Sequence, residues 1–225
     1  MSDEELQLML STLQSFGGKI STRTDNEGNE KPYEANISLF DALKGTYHGS
    51  DQWQVERLIS SQAIMLAVEG IPAFYLHTLF ATPNDQDKLL ATNHNRAINR
   101  RNWNLSDVYE RINQPDGPGQ RVFNELTRLI KLRAKQPAFH PNATQFTLHI
   151  RPEIFAFWRQ SMDRRQSLFC IYNLSDQPQE LSLADINLIS TESWVDIISG
   201  TAIDDLYGKI ILAPYQNLWL TNLRT

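Results

Sequence analysis

The stretch "ERLISSQAIMLAVEGIPAFYL", residues 56–76, decides the predicted fold class. Its first part repeats apolar residues at helical spacing, from Leu58 to Ala67, and Gly70 marks the end of that pattern. The following "IPAFYL" is a short, continuously apolar run, typical of a strand buried on both faces of a parallel sheet. A helix followed by such a strand indicates an α/β fold.

Beyond Pro141 the hydrophobic period changes from helical to alternating. Short runs of β-type residues are separated by turn residues, which predicts an antiparallel β domain, a small β-sandwich. We therefore divide the chain into residues 1–139 and a β domain, residues 140–225. The predicted strand runs are residues 144–150, 154–160, 166–175, 179–183, 193–199 and 209–223.

Elsewhere in the first region, local signals predict three further elements. Ser2 and Glu5 form an S-x-x-E capping box before an apolar repeat that ends at Gly17-Gly18. The sequence "NEGN" at residues 26–29 predicts an exposed hairpin or loop. An amphipathic helix is expected from about Gln120 to Lys135, and Pro137 closes it.

Composition excludes several function classes. The 225 residues carry a formal net charge of −5, which argues against a general nucleic-acid binder. No run approaches the roughly 20 apolar residues of a membrane span, and the acidic N-terminus lacks the features of a signal peptide. We therefore expect a cytoplasmic protein with no nucleic-acid or membrane partner.

The polar segment from His77 to Trp103 is the first place to expect a ligand, because ligands of parallel α/β folds lie at the carboxyl ends of the strands. It contains Asp85, Arg96 and several further Asn, His and Arg residues. Asn and Asp suit sugar hydroxyls, and Arg suits a carboxylate or phosphate. The alternative is that the arginines pair with acidic residues elsewhere or form a solvated face.

Other motifs give no site. The lone Cys170 lies in an apolar alternating run and is interpreted as a buried, inert thiol, which excludes an internal disulfide. No metal-binding His spacing, phosphate-binding loop or nucleophile elbow is present in the sequence, so no metal site is expected. His77 follows a predicted buried strand and is interpreted as a core histidine.

Three segments together resemble one family: "PYEANISLFDAL" from Pro32, "GIPAFYLHTLFATPND" from Gly70, and "NHNRAINRRNW" from Asn93. They resemble the sucrose phosphorylase subfamily of the α-amylase superfamily, in the form typical of glucosylglycerate-type phosphorylases. The resemblance implies the C-terminal segment of a (β/α)8 barrel, with about its seventh helix, eighth strand and eighth helix, followed by the β-sandwich. It also implies retaining glucosyl transfer from a small α-glucoside to inorganic phosphate, with no metal or organic cofactor.

The resemblance also assigns residues. Tyr33 and Glu34 match a loop pair on the acceptor and phosphate side, where Glu34 departs from the glutamine of sucrose phosphorylases. Arg96 matches an arginine that contacts the glucosyl unit, and Asp85 is its expected polar neighbour. The three catalytic carboxylates of the family would precede Met1. We therefore expect no catalytic residue in this chain and no activity from it alone. Its expected partner is a missing N-terminal barrel portion or a second copy of the chain.

Two alternatives remain open at this point. The chain could belong to a hydrolase or transglucosidase of the same superfamily. It could instead be a non-catalytic sugar-binding or interaction module that uses its β domain. Against the second alternative, Trp158, Trp194 and Trp219 alternate within their strands as core residues do.

Overall fold

The computed structural model describes residues 1–186, 188 and 192–222. Contacts within the chain define two compact units. The first comprises Met1–Leu58 and Phe74–Asn124, and the second comprises Ile59–Ala73 and Glu125–Thr225. The domain boundary expected between residues 139 and 140 stays a prediction.

The first unit begins with a capped helix, α1 (Asp3–Ser15). The Ser2 hydroxyl accepts a hydrogen bond from the Glu5 amide at 3.2 Å, and the Glu5 carboxylate accepts one from the Ser2 amide at 2.6 Å. The predicted capping box is therefore confirmed. Gly17 follows with a φ of +89°, a conformation that glycine adopts without strain, and ends the helix as predicted.

An antiparallel hairpin comes next, formed by β1 (Lys19–Thr24) and β2 (Glu30–Asn36). Its turn contains Gly28 at a φ of +88°, so the turn signal at residues 26–29 is confirmed as a hairpin.

The remaining elements up to residue 133 are mostly short helices. In chain order these elements are α2 (Leu39–Ala42), β3 (Gly45–Thr46), β4 (Gly49–Ser50), α3 (Gln54–Ala67), α4 (Leu76–Leu79), α5 (Gln86–Thr92), a 3₁₀ turn (Asn95–Ala97), α6 (Leu105–Asn113) and α7 (Pro118–Arg133). The predicted apolar faces of the two longest helices, α3 and α7, are confirmed, since Leu58, Ala63, Val122 and Leu126 are all fully buried.

The predicted strand "IPAFYL" is not formed, and this expectation was wrong. Residues 71–75 lie between α3 and α4 without strand structure. A strand exists only through hydrogen bonds to a neighbouring strand, and none of the described residues pairs with this segment. Its side chains are also open rather than buried: Ile71 is 84% exposed, and Tyr75 and Leu76 are each 54% exposed.

The second unit contains the predicted antiparallel β region. Its strands are β5 (Thr144–Arg151), β6 (Ile154–Gln160), β7 (Ser167–Asn173), β8 (Gln179–Ser182), β9 (Trp194–Asp196), β10 (Thr201–Ile203), β11 (Lys209–Leu212) and β12 (Asn217–Thr221). Six of them form a sheet in the order β10-β9-β12-β7-β6-β5, and β8 pairs separately with β11.

The predicted runs differ from these strands in two places. The run 209–223 is broken into β11 and β12 by a turn in which Tyr215 has a φ of +54°, and its last residue, Leu223, lies outside the described residues. The alternation also missed β10, which is only three residues long.

An apolar core lies between the two sheets, as in a sandwich. It is formed by residues that alternate along the strands, chiefly Ile154, Ala156, Phe169, Ile171, Leu181, Leu212, Leu218 and Leu220. Both sheets are antiparallel, so the predicted β-sandwich is confirmed. The residues before it form helices and short strands, as the predicted combination of a mixed region and an all-β region requires.

The other face of the large sheet is buried as well. Tyr172 is fully buried, and its hydroxyl donates to the Ala63 carbonyl at 3.3 Å. The Trp219 indole donates to that hydroxyl at 3.0 Å and packs on Phe139 with ring centroids 4.9 Å apart. Every residue of β7 is consequently buried, including Cys170, as expected for this thiol.

Candidate functional site

Tyr33 occupies an irregular position in the β1–β2 hairpin. Ser21 pairs with Glu34, but the next residue of β1, Thr22, pairs with Pro32. Tyr33 is therefore an extra residue on β2, as in a β-bulge, a device that re-aims side chains. Tyr33 is 60% exposed, and the Arg23 guanidinium lies 6.0 Å from the centroid of its ring.

Glu34 and Arg96 form an ion pair across 62 residues of sequence. The Arg96 Nε atom donates to the Glu34 Oε2 atom at 2.8 Å, and both side chains remain partly open to solvent. The hydrogen bond to Glu34, together with its charge, raises the pKa of the Arg96 guanidinium. The pair leaves the two Nη atoms of Arg96 without a partner among the described residues, available to a ligand's oxygen atoms.

A second link holds the same two segments together. The Ser21 hydroxyl accepts hydrogen bonds at 3.0 Å from the side-chain amides of Asn36 and Asn95. Asn95 directly precedes Arg96 in the 3₁₀ turn. The hairpin and this turn are therefore connected by two polar contacts, which fixes where Arg96 lies.

Asp85 lies at the start of α5. Its carboxylate accepts a hydrogen bond from the Lys88 amide at 3.0 Å and caps α5, and its amide donates to the Ile98 carbonyl at 2.7 Å. It lines a polar cleft of about 460 Å³ together with Lys88, Arg101 and others. The structure thus brings Glu34 to Arg96 and gives Asp85 a capping role, so its predicted contact with Arg96 stays a prediction.

Asn84, which sequence reasoning did not select, connects three segments of the first unit. Its side-chain oxygen accepts from the Ser38 amide at 2.8 Å, and its side-chain amide donates to the Phe16 carbonyl at 3.3 Å. Its backbone amide donates to Asp41 at 2.6 Å. The sequence signal that could have identified Asn84 is its place in "TPND", the end of the segment from Gly70 that resembles the sucrose phosphorylase subfamily.

His77 also has a more specific environment than the sequence indicated. Its Nδ1 atom accepts a hydrogen bond from the Trp103 indole at 3.2 Å, and Trp103 shares that donor with the Thr82 hydroxyl. Arg101 and Arg111 lie 4.6 and 5.9 Å from the Trp103 ring centroid. The sequence signal for this cluster was Trp103, the last residue of the segment "NHNRAINRRNW" from Asn93.

Metal and membrane features complete the description. Within residues 1–186, 188 and 192–222, no group of three or more His, Cys, Asp or Glu side chains is placed to hold a metal ion. None of the helices in the same part of the chain has the length and hydrophobicity needed to span a bilayer.

Residues 145–219 match the family model described as the C-terminal domain of maltogenic amylase. Over all of its length the chain is 29% identical to glucosylglycerate phosphorylase of Spirochaeta thermophila, of which it covers 39%. Over 98% of its length it is 28% identical to glucosylglycerate phosphorylase of Escherichia coli K12, of which it covers 38%. The chain thus spans about two fifths of the length of these curated relatives.

Among solved structures, the chain superposes on sucrose 6F-phosphate phosphorylase from Thermoanaerobacter thermosaccharolyticum with a TM-score of 0.64. The match covers 95% of this chain and 37% of that enzyme at 17% sequence identity. At this identity the likeness shows a shared fold.

Proposed function

This chain belongs to the α-amylase superfamily, in the group that contains glucosylglycerate and sucrose phosphorylases, and we propose that its protein is a retaining α-glucoside phosphorylase. The donor is a small α-glucoside of the glucosylglycerate or sucrose type. The acceptor is inorganic phosphate, and the product is α-glucose 1-phosphate. The similarity to glucosylglycerate phosphorylases, which extends over 98–100% of this chain, carries this proposal.

Retention requires two displacements at the anomeric carbon. A carboxylate attacks this carbon while a carboxylic acid protonates the departing glycosidic oxygen, and a covalent glucosyl-enzyme forms. An oxygen of phosphate then attacks the same carbon and releases the carboxylate, while the phosphate proton passes to the acid/base group. In our proposal the nucleophile, the acid/base group and the stabilising aspartate come from a barrel portion outside this chain.

The residues of this chain bind and orient in our proposal. Arg96 donates hydrogen bonds to the glucosyl unit, while Tyr33 and Glu34 form the acceptor and phosphate side. A lone Glu34 carboxylate would repel phosphate, but its 2.8 Å contact with Arg96 offsets that charge. The polar cleft at Asp85 supports a polar role for this residue at the rim.

The chain alone is inactive in this proposal, because it lacks the reacting carboxylates. It requires the remaining barrel portion as a partner, and the exposed apolar side chains of Ile71, Tyr75 and Leu76 support this requirement. The chemistry needs no metal or organic cofactor. The cytoplasmic location also remains part of the proposal.

The test compares the isolated chain with the longest protein encoded at its natural locus. Each is incubated with glucosylglycerate or sucrose, with and without phosphate, and glucose 1-phosphate is measured. We expect phosphate-dependent product from the longer protein only. Product from the isolated chain refutes its inactivity, and phosphate-independent release of glucose points to a hydrolase or transglucosidase instead.

Residue roles are tested in the same longer protein. Arg96→Lys removes the planar, two-pronged donor, and we expect kcat/KM to fall by about 10²-fold or more. Arg100→Lys is the matched control, because Arg100 is an exposed neighbour of the same type. Equal effects of the two substitutions would contradict the role given to Arg96.

A further inference from the structure

Ser21 is a hydrogen-bond acceptor that two asparagines of the first unit share. Its Oγ atom accepts from the side-chain amide of Asn36 on β2 and from that of Asn95 in the 3₁₀ turn, each at 3.0 Å. Asn36 is only 2% exposed, and its amide also donates to the Glu34 carbonyl at 3.4 Å. A single hydroxyl thus joins the strand that carries Glu34 to the turn that carries Arg96.

The 3₁₀ turn depends on this contact at its N-terminal side. It is a single turn, Asn95–Ala97, and no side chain caps it. Such a short piece does not hold its own conformation, because the hydrogen bonds of a 3₁₀ helix are poorly aligned. After Arg96 the chain is anchored by burial, since Ile98 is fully buried. Before Arg96, over residues 93–95, the bond to Ser21 is the only side-chain hydrogen bond to another segment among the described residues.

The ion pair between Arg96 and Glu34 does not by itself fix the Arg96 side chain. The two side chains are 46% and 35% exposed. Exposed ion pairs contribute little, because water screens them and two long side chains lose rotamer freedom when they meet. The pair therefore needs its two backbone segments already at the right separation. The amides that meet at Ser21 supply this separation, since short side chains lose less freedom than long ones.

We propose that Ser21 is a positioning residue for Arg96. Its hydroxyl holds the 3₁₀ turn against β2, so that the Nε atom of Arg96 contacts Glu34 and both Nη atoms stay available to the ligand. Ser21 touches no substrate and acts only through Arg96. The effect on turnover rests on the proposed function, in which Arg96 contacts the glucosyl unit, whereas the effect on the ion pair rests on the geometry alone.

Two isosteric substitutions separate the hydroxyl from the rest of the side chain. Ser21→Val and Ser21→Thr are both β-branched and suit a strand, but only Ser21→Thr keeps the hydroxyl. In the longer protein, we expect Ser21→Val to lower kcat/KM about tenfold, the effect of one lost hydrogen bond, and Ser21→Thr to restore it. Thr24→Val is the matched control and should leave kcat/KM unchanged. Thr24 lies on the same strand, and its hydroxyl donates to Glu30 at 2.6 Å, within the hairpin.

A double-mutant cycle tests whether Ser21 acts through Arg96. In the Arg96→Lys background, Ser21→Val should cause no further loss of kcat/KM, because the side chain that Ser21 positions is already gone. The same loss in both backgrounds would show a merely structural role and overturn the proposal, as would full activity of Ser21→Val or no recovery in Ser21→Thr. Should Ser21→Val fail to fold, Asn95→Ala removes the other end of the same hydrogen bond and takes its place in the cycle.

A second readout needs no turnover. In the full 225-residue chain, ¹H–¹⁵N NMR follows the Nε–H signal of Arg96, which is identified by its loss in Arg96→Lys. We expect this signal to lie apart from those of solvated arginines, and to move towards them in Ser21→Val but not in Thr24→Val. An unchanged signal in Ser21→Val, or an equal shift in Thr24→Val, overturns the proposal whatever the protein catalyses. A shift in Ser21→Val alone, without phosphorolysis by the longer protein, supports the role of Ser21 and refutes only the proposed function.

Discussion

Replacing Arg159 by methionine tests how strand β6 of the second unit is connected to the end of α3 and to the segment before β5. The Arg159 side chain is fully buried, and among the described residues its hydrogen-bond acceptors are carbonyl oxygens rather than carboxylates. Its guanidinium instead donates to the carbonyls of Ala67 at 2.7 Å, His140 at 2.9 Å and Ala143 at 3.2 Å. The first carbonyl ends α3, where the helix dipole favours a cation.

The expected magnitude is a balance of two costs. Methionine leaves the buried carbonyls of Ala67 and Ala143 without this donor, at about 1–3 kcal/mol for each unsatisfied group, whereas the His140 carbonyl still accepts from the Ala143 amide at 2.9 Å. Against this, removing a buried guanidinium relieves a desolvation cost of several kcal/mol, the same burial that lowers the pKa of Arg159. We expect a net loss of about 2–4 kcal/mol in the free energy of unfolding, because an apolar side chain cannot satisfy the carbonyls that remain.

The assay is urea denaturation followed by tryptophan fluorescence, for which the buried Trp219 of the same unit is a suitable probe. With a slope of about 2–3 kcal/mol per molar urea, the midpoint should fall by about 1 M. Arg165→Met is the matched control, because the Arg165 side chain is 86% exposed and its one ion pair, with Asp163, is long at 3.9 Å. Arg159→Lys should lie between the two, since one ammonium cannot reproduce the fork of donors.

An unchanged midpoint for Arg159→Met would refute this reasoning. It would mean that the desolvation cost of the guanidinium cancels its three hydrogen bonds. An equal fall for Arg165→Met would refute it as well, because the effect would then belong to any loss of positive charge.

Three further predictions concern single side chains. Burial raises the pKa of the Cys170 thiol well above its usual value, so labelling by an aromatic disulfide in native buffer should be slower than in urea by about a thousandfold or more. Glu34→Gln should leave the urea midpoint unchanged, because the ion pair with Arg96 is exposed to solvent. Burial lowers the pKa of His77 in the folded chain, so the free energy of unfolding is greatest above the unfolded value of about 6.5 and decreases as the pH falls through the folded value. The melting temperature of His77→Gln should therefore fall less than that of the native chain between pH 7.5 and 5.5, and parallel curves would contradict this.

Elements whose signal is local were predictable from the sequence. The capping box at Ser2, the turn at Gly28 and the apolar face of α3 each depend on residues within a few positions of one another. Most strands of the sandwich followed from short β-type runs between turn residues, several of them alternating. The run pattern did not identify β10, although β9, of the same length, lies within a predicted run.

The features that sequence reasoning missed depend on distant partners. Residues 71–75 have the composition of a strand, but composition cannot supply the neighbouring strand that defines one. The Glu34–Arg96 contact joins positions that the resemblance had assigned separately, and no local pattern predicts their distance. His77 was interpreted from its position after an apolar run, and its hydrogen bond with Trp103 was missed because the two residues lie 26 positions apart.

The extra residue at Tyr33 has a consequence for sequence comparison. Because Ser21 pairs with Glu34 and Thr22 with Pro32, a gene that lost only codon 33 would encode a more regular hairpin with every other pair in place. Folding alone therefore gives no reason to keep that codon. In an alignment of relatives, a one-residue gap at this position would identify chains that lack the tyrosine and keep the hairpin. A substitution at this position would change the side chain and retain the bulge.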